Sequence, residues 1–118
     1  MPKSVLIVDD YARFRVAARD LLEGAGFDVV GECADGGSAL DLTAVLDPDL
    51  VLLDVQLPDI DGFEVAERLA KTGVRSRVLL VSSRAASDYG TKVEEARTLG
   101  FICKSDLSVR SLRRILNG

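Results

Sequence analysis

Histidine is absent from this sequence of 118 residues, and so is tryptophan. Without an imidazole the chain has no side chain that ordinarily titrates near neutrality, so its chemistry must run on carboxylates, hydroxyls, lysine or cysteine. Cysteine is scarce as well. Cys33 and Cys103 lie far apart with no C-x-x-C spacing, which argues against a zinc site or a thioredoxin-like pair, and both read as small apolar residues in strands. A net charge of −4 lacks the clustered Lys and Arg that phosphate backbones require, so direct nucleic-acid binding by these residues is not expected. No apolar run approaches the roughly 18 residues of a spanning helix, and Met1-Pro2-Lys3 leads straight into a short apolar segment without signal-peptide architecture. A cytosolic protein that does not contact membrane is the expectation.

What is present is a single-domain composition, 47% hydrophobic and 29% charged, of a size that buries one core over residues 1–118. Five short β-branched or apolar runs read as strands: Ser4–Val8, Asp28–Cys33, Leu50–Leu53, Arg77–Val81 and Phe101–Cys103. The third and fourth are continuously apolar, as central parallel strands are. Helical periodicity fills the gaps. Phe14, Ala17, Ala18, Leu21 and Leu22 fall on one helix face that Gly24 and Gly26 end. Asp35-Gly36-Gly37 opens a second helix that runs to about Leu46, and Phe63, Ala66, Leu69 and Ala70 mark a third closed by Gly73. A fourth is predicted over Asp88–Leu99, with a loop-like start at Gly90, and a fifth carries Val109, Leu112, Ile115 and Leu116. The order is (βα)₅, an α/β chain whose right-handed crossovers build a doubly wound, five-stranded parallel sheet.

In such sheets ligands bind outside the carboxyl ends of the strands, and polar residues collect there. Asp9 and Asp10 end the first strand, Asp54 the third, Ser82 the fourth and Lys104 the fifth. Three carboxylates gathered in one crevice repel each other, and a hard divalent cation with oxygen ligands, Mg²⁺, is the natural counterweight. Asp54, alone between Leu53 and Val55, is the candidate nucleophile toward phosphorus, Lys104 the opposing charge, and the Ser82 hydroxyl a donor to the transferred group. Singly, each residue has an ordinary structural role: Asp10 as a cap of the helix beginning at Tyr11, Asp54 as a turn residue, Ser82 as a cap, Lys104 as a solvated base. Together on four strand ends they point to one site.

These residues also carry a resemblance. Asp9-Asp10, the run Leu52-Leu53-Asp54-Val55-Gln56-Leu57-Pro58 with Asp61-Gly62, Val81-Ser82-Ser83, and Gly100-Phe101-Ile102-Cys103-Lys104 resemble the receiver domains of two-component response regulators over essentially the whole chain. The resemblance implies a flavodoxin-like (CheY-like) fold and a phosphoswitch rather than an enzyme. It implies that Asp54 accepts a phosphoryl group from a phosphohistidine on a sensor histidine kinase. Asp10, Asp54 and the Gln56 backbone carbonyl would ligate Mg²⁺, with Asp9 helping directly or through water, and Lys104 would pair with the phosphoryl oxygens and the carboxylates. Ser82 would move toward the phosphate. Phe101 would turn inward in response and alter the face formed by the fourth helix, fifth strand and fifth helix. The stretch Lys104-Ser105 followed by Leu107-Ser108 resembles receivers joined to helix-turn-helix domains, which implies a homodimer on phosphorylation and DNA contact through an output domain outside these residues.

Two departures stand out. Ser105 occupies the place where many receivers have proline, and Gln56 and Arg84 occupy the places the family uses to set the rate of dephosphorylation. Two rival classes are also distinguishable. An aspartyl phosphohydrolase of the haloacid-dehalogenase type needs its two aspartates two residues apart after the first strand, whereas Asp9 and Asp10 are adjacent here. A receiver-like module that never takes phosphate would not need Asp10, Asp54, Ser82 and Lys104 together. A nucleotide-binding domain is a weaker rival still, since no G-x-G-x-x-G follows the first strand and no Walker A sequence is present.

Overall fold

The computed structural model describes residues 3–117. Its elements run β1 (Ser4–Val8), α1 (Ala12–Gly24), β2 (Asp28–Cys33), α2 (Gly36–Leu46), β3 (Leu50–Asp54), α3 (Gly62–Thr72), β4 (Arg77–Ser82), a 3-10 turn (Ala86–Tyr89), α4 (Lys92–Glu95), β5 (Gly100–Cys103), a second 3-10 turn (Lys104–Asp106) and α5 (Val109–Asn117). All strand pairs are parallel, in the order β2-β1-β3-β4-β5. This is the doubly wound α/β sheet expected from the alternation of patterns.

Strand periodicity decides which helices each residue meets. Val5 and Ile7, Leu50 and Leu52, and Leu79 and Val81 point to one face, where Ala18 and Leu22 of α1 and Leu112 of α5 cover them. Leu6 and Val8, Val51 and Leu53, and Val78 and Leu80 point to the other, under Ala39 of α2 and Val65, Ala66 and Leu69 of α3. Full burial of each such Leu or Val side chain stabilises by about 1.5–3 kcal/mol. The central strands are therefore apolar on both faces, and their polar residues can sit only at the ends.

The fourth helix is where the expectation fails. Asp88–Leu99 is not one helix: a 3-10 turn ends at Tyr89, Gly90 follows at φ 62° and ψ −129°, and α4 is one turn long. No residue of either piece is buried, so there is little packing to offset the cost of nucleating a helix, and Gly90 adopts a conformation outside the helical region. Cys33 and Cys103 stand in β2 and β5 as free thiols, as their apolar reading implied.

Candidate functional site: an acidic cleft at the carboxyl end of the sheet

The strand order reverses between β1 and β3, and the crevice outside their carboxyl ends is where an open α/β sheet holds ligands. A cleft opens there, lined by Asp10, Tyr11, Arg13, Phe14, Asp54, Gln56, Ser83 and Lys104. Carboxylate oxygens of Asp9, Asp10 and Asp54 lie within 4.8 Å of one another. Asp9 and Asp54 are buried, and Asp10 is exposed at the mouth.

Each side chain is held by its own local structure. Asp9 Oδ1 accepts the backbone N–H of Tyr11 at 2.8 Å, so the oxygen that steadies the entry to α1 belongs to Asp9. Asp10 makes no such capping bond, and the capping reading of that residue falls away. Arg15 anchors the turn from behind, donating to the Asp9 carbonyl at 2.7 Å while pairing with Glu32 of β2 at 3.1 Å. Asp54 closes β3, where Val55 N–H donates to the Val81 carbonyl and Gln56 N–H reaches Asp54 Oδ1 at 3.3 Å.

Behind Asp54 the backbone of α3 approaches without a side chain between: a Cβ on Gly62 would stand 2.5 Å from the Asp54 carbonyl oxygen. Asp59, in the loop that leads there, ties β3 to the start of α2 by accepting the Gly36 and Gly37 N–H groups at 2.8 and 2.9 Å. Those bonds hold the Asp59 carboxyl down at about 2.

Lys104 crosses the cleft from the end of β5. Its ammonium lies 2.6 Å from Asp9 Oδ2 and 3.6 Å from Asp54 Oδ2, and it rests 4.4 Å from the centre of the Phe14 ring. Three carboxylates face this one ammonium, which leaves two negative charges unmatched when all are ionised. Burial first, and the charge of Asp9 second, push the Asp54 carboxyl up to about 6 against the lowering influence of Lys104. Asp9 Oδ2 is the one buried side-chain oxygen among the described residues without a well-aligned hydrogen bond, and the nearby ammonium is its compensation. An all-oxygen donor set with excess negative charge fits a hard divalent cation.

The two remaining sequence candidates, Ser82 and Phe101, are not among the residues that line the cleft. Ser82 is fully buried, and Ser83 lines the cleft in its place. The Ser82 hydroxyl accepts the Arg84 N–H at 3.0 Å and lies 2.6 Å from the Tyr89 hydroxyl. The Tyr89 ring that meets Ser82 also stands beside Phe101, with centroids 6.0 Å apart and an interplanar angle of 62°. Sequence reasoning missed Tyr89, Asp59, Arg15 and Phe14 as parts of the site. Tyr89 was hidden inside a stretch read as helix, and the partners of the other three are distant in sequence or, for Arg15, in the backbone.

Comparison with known proteins agrees with this geometry. The family described as Response regulator receiver domain matches residues 5–116. The virulence-factor transcription regulator BvgA of Bordetella pertussis is 35% identical over 117 residues, which are 99% of this chain and 54% of that protein. The DNA-binding transcriptional activator EvgA of Escherichia coli K12 is 31% identical over 87% of this chain and 50% of its own length. The chain thus spans about half the length of these curated relatives. Among solved structures, the signal receiver domain of the response regulator NarL from Mycobacterium tuberculosis superposes with a TM-score of 0.86 at 30% identity, covering 98% of this chain and 94% of that one. With the family matched from the first strand to the last helix, and the acidic cleft at the switch point of the sheet, this chain belongs to the response regulator receiver domain family.

Proposed function

We propose that residues 1–118 act as one receiver unit whose phosphoacceptor is Asp54. The observation that carries this reading is the convergence of Asp9, Asp10 and Asp54 within 4.8 Å, with Lys104 reaching across them. The donor would be a phosphohistidine on a sensor histidine kinase. An Asp54 carboxylate oxygen forms the new P–O bond as the phosphorus–nitrogen bond breaks, and the electron pair leaves on the imidazole. At neutral pH a carboxyl raised to about 6 is ionised and still more basic than an ordinary aspartate, which suits a nucleophile.

Asp10, Asp54 and the Gln56 backbone carbonyl would hold Mg²⁺, with Asp9 in support. When bound, such an ion supplies positive charge that offsets the carboxylate repulsion and the charge of the phosphoryl oxygens. Lys104 needs only to shift its contact from Asp9 toward the new group to pair with it. Ser82 would donate a hydrogen bond to that group, and Phe101 would carry the change to the α4-β5-α5 face.

The output would be control of transcription through a domain outside these residues, in the cytoplasm, with a second copy of the regulator as partner on phosphorylation. The regulators BvgA and EvgA, about twice as long, support that extension. Among the described residues no helix is long and apolar enough to cross a membrane. The test is intact-protein mass after incubation with a small phosphodonor and Mg²⁺. One added phosphoryl group on the wild type and none on D54N is the expected pair of results, and equal labelling of both would remove Asp54 from this role.

A further inference from the structure

Ser82 has two hydrogen-bond partners and one proton. The Arg84 N–H occupies a lone pair at 3.0 Å, so among the described residues the Tyr89 oxygen, 2.6 Å away, is the contact able to take the Ser82 proton. The reverse assignment would leave that proton without a partner among the described residues in a fully buried position. Either hydroxyl can donate across this contact, and only with Ser82 donating are its proton and both of its partners used.

The tyrosine ring is itself gripped on two sides. It meets Phe63 of α3 edge-on, with centroids 5.4 Å apart and planes at 70°, and Phe101 of β5 at 6.0 Å and 62°. It also ends the 3-10 turn that replaces the start of the expected fourth helix, directly before Gly90. One side chain thus links the buried hydroxyl at the end of β4 to α3, to β5 and to the segment leading into α4.

We propose that Tyr89 is a positioning residue that holds Ser82 in the resting state by accepting its only proton, so that a phosphoryl group on Asp54 has to compete with Tyr89 for it. The inference rests on the reading of Asp54 as the acceptor. When a phosphoryl oxygen accepts the hydrogen bond from Ser82 and draws the hydroxyl toward it, the 2.6 Å contact is broken and Tyr89 is freed from the slot between Phe63 and Phe101. The turn Ala86–Tyr89 is then released with it, and Phe101 gains the room it needs to turn. Tyr89, absent from the sequence expectation, becomes the step between Ser82 and Phe101.

Beryllofluoride, a phosphoryl mimic, tests this with Mg²⁺ present. Y89F keeps the ring and its packing but removes the oxygen that competes for the proton. Its affinity for beryllofluoride should exceed that of the wild type by about fivefold, the equivalent of one neutral hydrogen bond. The gain should vanish when Y89F is introduced into S82A, where there is no proton to contest, whereas a merely structural role for the ring would give the same effect in both backgrounds. If the wild type binds the mimic and Y89F binds it no tighter, or if the gain persists in S82A, the role of Tyr89 is overturned while the acceptor reading stands. If the wild type binds no mimic at all, the acceptor reading fails and this inference fails with it.

Discussion

Gly62 and Asp54 are in backbone contact: a methyl group on Gly62 would lie 2.5 Å from the Asp54 carbonyl oxygen and 2.9 Å from Val55 Cα. Both obstructing atoms belong to the backbone of the segment that carries Asp54, so neither can swing aside as a side-chain tip would. Gly62→Ala should therefore destabilise the fold by about 2–3 kcal/mol, at the upper end of ordinary overpacking, and displace Asp54 as well. Urea unfolding reads the first effect and phosphodonor labelling the second. A variant with wild-type values of both would show that α3 can retreat freely.

The Asp54 carboxyl gives stability a pH dependence of definite sign. Its folded value of about 6 is higher than the roughly 3.9 of an unfolded aspartate, so the native state binds more protons between those limits. The contribution is complete below about pH 4 and is lost as pH rises through about 6, which leaves the ionised site a net liability at neutrality. In metal-free buffer, wild type should lose stability relative to D54N by on the order of 2–3 kcal/mol between pH 4 and pH 7. Parallel stability curves for the two proteins would contradict the placement of Asp54 in a buried, like-charged setting.

Mg²⁺ should raise the melting temperature of the wild-type chain, because a ligand confined to the native state stabilises it by mass action. Asp10→Asn removes one of the three carboxylates and so lowers both the ligand charge and the repulsion that the ion offsets. The metal affinity of that variant should drop at least tenfold by calorimetric titration, and its metal-free melting temperature should not fall. Unchanged affinity would take Asp10 out of the metal site.

Asp59 supports the cleft from outside. Its carboxyl, held at about 2 by the Gly36 and Gly37 N–H groups, contributes stability that is present above about pH 4 and lost as pH falls through about 2. Asp59→Ala should lower the melting temperature at pH 7, with the difference from wild type shrinking as pH approaches 2. Hydrogen exchange at Gly36 and Gly37 should quicken in the same variant. Protection unchanged at those amides would mean that other groups hold the start of α2.

Sequence alone determined the alternation of strands and helices, and with it the sheet, because each apolar period belongs to one kind of element and parallel strands need crossovers. It also placed Asp9, Asp10, Asp54, Ser82 and Lys104 at strand ends, since a strand buried on both faces has nowhere else to carry a polar residue. The tertiary structure decided the rest. Asp88–Leu99 has helical spacing, but spacing says nothing about whether a face finds a partner, and here Tyr89 packs between Phe63 and Phe101 while its neighbours stay unburied. Which aspartate steadies α1, which oxygen Lys104 prefers and what holds Ser82 depend on contacts between residues whose separation in the chain carries no pattern. Such contacts arise only when the strands are laid side by side, and for that reason the strand-end carboxylates and Lys104 were readable in the sequence, while Tyr89, Asp59, Arg15, Phe14 and the resting connections were not.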